Sequence, residues 1–148
     1  MTQPESITFF IDRCLGSKLI VEKLRGAGIT VEIHDEHFNK NAHDVDWLPE
    51  VGRRGWVVLT KDKMIGKNLL EKTAVTRANI KMFTFASQNI SGGDMVTILL
   101  KAIVSMQEFV RKHPAPFIAK IYRNGQLDMW KDNERLAEEL KQHLDITE

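Results

Sequence analysis

Apolar residues in this chain fall into two kinds of pattern: short unbroken runs that stop at polar residues, and longer stretches in which they recur at helical spacing. Residues 7–11 (ITFFI) form one such run and stop at Asp12, and residues 56–59 (WVVL) form another and stop at Thr60, Lys61, Asp62 and Lys63. Consecutive β-branched and aromatic residues without alternation suit parallel strands covered on both faces. Residues 29–33 alternate with Thr30 and Glu32 as a further strand, closed by the polar cluster His34, Asp35, Glu36 and His37, and 80–85 reads as a fourth.

Helical periodicity fills the gaps. Leu15, Leu19, Ile20, Lys23 and Leu24 set a stripe over about 15–27, ended by Gly26 and Gly28. After a loop over 38–43, Asp44 opens a short helix ahead of Trp47, Leu48 and Val51, with Arg53 and Arg54 in its last turn and Gly55 closing it. An irregular basic stretch, 63–67, precedes a helix at about 69–79. Ser91 caps a long helix over 92–112, where Met95, Ile98, Leu99, Ala102, Ile103, Met106 and Val110 repeat, and His113, Pro114 and Pro116 stop it. Asn124 and Gly125 between two extended runs within 117–130 predict a hairpin with a type I′ turn. A last helix, about 132–144, carries Leu136, Leu140 and Leu144 on one stripe.

Strands separated by helices, then a hairpin, predict an α/β fold with a mostly parallel sheet and an antiparallel addition at one edge. A chain of 148 residues is enough for one domain with a proper core, so a single domain over 1–148 is expected. Charge adds a constraint. The net charge of +1, with 28% charged residues of mixed sign, excludes nucleic-acid binding by bulk charge and leaves only a local patch. The lone Cys14 rules out an internal disulfide. Neither a secretory pattern at the start nor a bilayer-length apolar run is present, so a cytoplasmic protein with no membrane partner is expected.

In open α/β sheets, ligands collect outside the carboxyl ends of the strands. Asp12, Asp35, Asp44, Asp46 and Asp62 all fall at strand ends or at the helix start that follows one. Each alone reads as a helix cap; together they suggest a shared acidic site, in which carboxylates repel unless a cation sits among them. Oxygen-rich donors suit Mg²⁺ or Mn²⁺, and such an ion can activate water for attack at phosphorus. Arg13, Arg53, Arg54, Lys61, Lys63 and Lys67 lie beside these acids as phosphate contacts, or as ordinary surface charges. The spacing of His34, His37 and His43 matches no zinc motif, which leaves them as polar loop residues. Cys14 reads as a small buried hydrophobe, and Trp47 and Trp56 as core.

The segments FFIDRCLG, HDEHF, DVDWLPEVGRRGWVVLTKDK, SQNISG and HPAPFIAKIYRNGQLDMW resemble the PIN-like domain group, which includes the VapC toxin-type ribonucleases and the domain called Mut7-C. The resemblance spans about residues 7–130 and is most specific over 44–63. It implies a PIN-like three-layer α/β/α fold whose C-terminal hairpin is followed by a helix, and a metal-dependent endoribonuclease of the kind that serves as toxin to an antitoxin. Carried over by position, Asp12, Asp44 and Asp62 are the catalytic metal ligands, with Asp35 and Asp46 as substitutes for a further acid. Relatives often place that acid just after the third, where this chain has Lys63 and Met64. Arg13, Lys61, Lys63, Ser87 and Asn89 are the candidate RNA contacts, and a homodimer is implied only by the resemblance. Two alternatives stay open: a degenerate PIN-like module that binds RNA or protein without cutting, and a phosphoacceptor receiver-type domain. The receiver pattern expects adjacent acids after the first strand, and Asp12 is followed by Arg13.

Overall fold

The structure, a computed structural model, describes residues 7–12, 15, 18–61, 68–87 and 89–147. In chain order its elements are β1 (Thr8–Ile11), α1 (Lys18–Gly26), β2 (Thr30–Ile33), α2 (His34–His37), α3 (Asp44–Arg53), β3 (Val57–Thr60), α4 (Leu69–Arg77), β4 (Lys81–Phe85), α5 (Gly92–Lys112), β5 (Phe117–Ile121), β6 (Leu127–Lys131) and α6 (Asn133–Thr147). They build one 6-stranded sheet in the order β2-β1-β3-β4-β5-β6. β1 to β5 pair in parallel, and β6 returns antiparallel beside β5. This is the expected α/β/α architecture.

Side chains alternate across the sheet, so each strand feeds two cores. Phe9, Ile11, Leu59, Phe83 and Ala119 face α1 and α5, where Ile20, Leu24, Leu99 and Met106 meet them. Phe10, Val58, Met82 and Ile118 face α3, α4 and α6, where Trp47, Leu48, Val51, Val75 and Leu136 close the other layer. Both sides of β3 are buried, which is why its sequence is an unbroken apolar run. Phe10 is fully buried with its ring 5.1 Å from that of Trp47, and replacing such a side chain by Ala costs about 3–5 kcal/mol.

Three expectations shift. The polar cluster after β2 is a short helical turn, α2, with His34 at its start. The helix expected over 15–27 is α1, Lys18–Gly26, with Leu15 buried ahead of it. The hairpin does not use a type I′ turn. That turn needs positive φ at both central residues, whereas the tip closes with Gly125 N–H donating to Tyr122 O at 2.9 Å and Gly125 alone of the tip at positive φ, 85°. This is a three-residue loop ending in a left-handed glycine, and Asn124 Oδ1 accepts from Gln126 N–H at 3.0 Å to fix it. No helix among the described residues is long and apolar enough to cross a membrane.

Candidate acidic site

Parallel pairing brings the C-terminal ends of β1, β3 and β4 to one edge of the sheet. The ladder runs one residue past β1, because Asp12 N–H donates to Leu59 O at 3.0 Å. Asp12 thus lies beside Thr60, and Thr60 is in register with Thr84. By alternation all three share the face of Phe10, Val58 and Met82. Asp12 is 7% exposed, and Thr60 and Thr84 are fully buried. A carboxylate this buried is costly unless hydrogen-bonded. Thr60 Oγ1 donates to Asp12 Oδ2 at 2.8 Å, which offsets part of that cost and fixes the carboxylate's orientation. Thr84 Oγ1, next in the row, has no hydrogen-bond partner among the described residues.

α3 leads from this edge into β3, so it runs antiparallel to the strands. Its 10 residues span about 15 Å, and its first residue, Asp44, opens it on the side where β2 ends. Asp46, in the first turn of α3, accepts from His43 N–H at 3.2 Å through Oδ2, a helix-capping contact. Asp35 Oδ1 lies 2.9 Å from His34 Nδ1. Lys61 follows Thr60 directly and is half-buried. Ser87 is half-buried and Asn89 exposed on the loop beyond β4, and Arg123 from the hairpin tip donates to Asn89 O and, at 3.4 Å, to Ser87 Oγ. Asp62, Arg13, Cys14, Lys63 and Lys67 lie outside the described residues. The two members of the expected triad whose chain position is described, Asp12 and Asp44, therefore belong to elements that meet at one edge.

His34 departs from its reading as a polar loop residue. It is 1% exposed, with Phe10, Phe38 and Trp47 ring centroids 5.7 to 6.2 Å away. Trp47 is core as expected, while Trp56 is half-buried under Arg54, whose guanidinium carbon lies 4.9 Å from the ring centroid. One group the sequence reading missed is Glu32, Glu36 and His37, whose ligand atoms lie within 4.8 Å of one another. His37 Nε2 is 2.7 Å from Glu32 Oε2 and its Nδ1 3.4 Å from Arg54 Nη1. Glu32 read only as the polar half of an alternating strand, and the turn of α2 that folds Glu36 and His37 back toward it carries no sequence signal of its own.

A family model described as "PIN like domain" matches residues 7–87. The chain belongs to the PIN-like domain family. The matched residues run from β1 through β4 and include Asp12, Asp44, Thr60 and Asp62; β5, β6 and α6 lie beyond them. Among curated proteins the PIN-like chain is similar to "Putative ribonuclease VapC45" of Mycobacterium tuberculosis (strain ATCC 25618 / H37Rv), 24% identical over 117 residues that cover 76% of this chain and 84% of that protein. No solved structure matches. Family membership removes the receiver-type alternative.

Proposed function

We propose that this PIN-like protein is a metal-dependent endoribonuclease, a single catalytic domain acting in the cytoplasm as the toxin of a toxin–antitoxin pair. The observation that carries the reading is the buried Asp12 carboxylate, held by Thr60 at the sheet edge where α3 begins with Asp44. The name of the mycobacterial relative supports the reaction class.

The donor set fits a hard divalent cation. Asp12, Asp44 and Asp62 offer oxygen only, the choice of Mg²⁺ or Mn²⁺. Asp35 and Asp46 are poorer ligands, since their carboxylates already engage His34 and the His43 N–H. The bound ion supplies activation of a water and neutralisation of charge at the scissile phosphate. Everything else falls to the chain. Thr60 keeps Asp12 Oδ2 oriented; Arg13, Lys61 and Lys63 hold the RNA backbone by charge, and Ser87 and Asn89 shape the rim. An antitoxin protein and a second copy of the chain are the partners this reading expects.

Titration of Mn²⁺ and Mg²⁺ by calorimetry into wild type, Asp12→Asn and Asp62→Asn tests the ligand set. Binding to wild type that is lost in both variants is the expected result; equal binding in all three overturns the assignment. A catalytically silent RNA- or protein-binding module is the second reading, favoured by Lys63 and Met64 where relatives often carry a further acid. It predicts RNA binding in EDTA and no cleavage when metal is added.

A further inference from the structure

The row that begins at Asp12 does not end at Thr84. Thr84 is in register with Lys120 of β5, and Lys120 with Asp128 of β6. Strands about 4.8 Å apart place Lys120 three steps, about 14 Å, from Asp12 along the same edge, a distance that a few nucleotides cover. Alternation puts Lys120 and Tyr122 on the sheet face that holds Asp12 and Thr60. Over most of that face helices cover the strands: Ile118 packs in the core with Leu136 of α6, and Lys131 Nζ donates to Glu139 of α6 at 2.6 Å. The cover stops short of the edge. Lys120 is half-buried, Tyr122 is 39% exposed and Asp128 is exposed.

The uncovered groups have the chemistry of a nucleic-acid platform. Lys120 Nζ sits 4.3 Å from the Trp130 ring centroid, a cation held over an aromatic face. Tyr122 OH donates to Asp128 Oδ2 at 3.2 Å, which pins the phenol to the hairpin and orients its ring. That bond also engages Asp128, the residue in register with Lys120. Arg123 ties the hairpin tip to the loop after β4 through Ser87 and Asn89, so the tip is bonded to the proposed rim of the acidic site.

We propose that this face of the β5–β6 hairpin, Tyr122 and Lys120 with Trp130 behind them, is a stacking surface that carries single-stranded RNA along the sheet edge to Asp12. The inference rests on the ribonuclease reading and assigns it a contact surface outside the residues matched by the family model. Tyr122 takes a base on its exposed ring, as sequence-tolerant single-strand binders do with aromatic residues, and Lys120 meets a phosphate. Duplex RNA fits poorly, because its bases are already stacked and turned inward.

Tyr122 is the chain's 1 tyrosine, so ring-labelled tyrosine gives a single set of NMR signals. The test adds a short single-stranded RNA oligonucleotide to the labelled protein in EDTA, with affinity read in parallel by anisotropy. Expected are a shift of the Tyr122 signals, affinity about tenfold weaker or more for Tyr122→Ala, near wild-type affinity for Tyr122→Phe, a flatter salt dependence for Lys120→Gln, and weaker binding of the matching duplex. Wild-type binding with unmoved Tyr122 signals and an unchanged Tyr122→Ala affinity overturns the hairpin surface alone. So does equal affinity for the duplex. Absence of single-strand binding by wild type overturns this inference, and cleavage of the same RNA in Mn²⁺ then decides the ribonuclease reading separately.

Discussion

The hydroxyl of Thr60 carries more of the site than its residue type advertises. Its donation to Asp12 Oδ2 at 2.8 Å satisfies a carboxylate that is 7% exposed. Removing one partner of a buried charged hydrogen bond costs about 1–3 kcal/mol or more. Thr60→Val is therefore expected to lower the thermal midpoint and weaken Mn²⁺ binding together, whereas Thr60→Ser keeps both; denaturation curves and calorimetry on the pair check it. Thr84 is the converse. Its hydroxyl is fully buried and unpartnered among the described residues, so Thr84→Val, which keeps the shape and deletes the stranded polar atom, is expected to stabilise the protein by about 1 kcal/mol in urea unfolding. At this scale the sequence exposed Asp12, because an apolar strand cannot end in a carboxylate without consequence. It did not expose Thr60 as the partner: a threonine in a strand reads as an ordinary β-former, and what brings its hydroxyl to Asp12 is a register with a strand 48 residues away. The hairpin residues Lys120 and Tyr122 were hidden for the same reason.

Among the elements, α6 joins the body of the fold through buried Leu136 and through one carboxylate. Glu139 receives Lys131 Nζ at 2.6 Å, Lys72 Nζ of α4 at 3.2 Å and Arg135 Nε at 3.4 Å. Burial pushes its ionisation upward, but the hydrogen bonds and charges of Lys131 and Lys72 outweigh it and hold the carboxyl below its ordinary value of 4.5. A depressed folded value means stability that is present above the unfolded value and lost as pH falls through the folded one. Glu139→Gln is thus expected to be less stable than wild type at pH 7, with the gap closing as pH falls below 4.5, as thermal melts over a pH series would record. α3 and α4 meet at Gly52, where an added Cβ would overlap the Ala78 carbonyl oxygen. Gly52→Ala should separate the helices at a cost of about 1–3 kcal/mol. Helix and strand positions were legible from periodicity, but such close approaches were not, since a glycine within a helical pattern gives no hint of its neighbour. Nor was the hairpin loop type: Asn-Gly signals a left-handed glycine, and whether the asparagine also inverts depends on where the strands stop pairing.

For the whole molecule, alternation of buried strands and amphipathic helices was enough to dictate a parallel sheet with helices on both faces, because right-handed crossovers leave few other arrangements. The edge that carries Asp12 and Thr60 follows from that topology: β1 and β3 are neighbours in the sheet though α1, β2, α2 and α3 separate them in sequence, so their terminal residues converge. What each side chain does at the edge required the fold itself. With a net charge of +1, any hold on RNA must come from the local groups at this edge and not from the molecule's field. The most direct measurement is incubation of an end-labelled RNA with wild type and with Asp12→Asn, each in Mn²⁺ and in EDTA, with thermal midpoints taken on the same samples. Cleavage by wild type in Mn²⁺ only, and by Asp12→Asn in neither buffer though it is still folded, is the expected result. Cleavage that survives Asp12→Asn, or no cleavage by wild type in Mn²⁺, would contradict the assignment of a metal-dependent ribonuclease centred on Asp12.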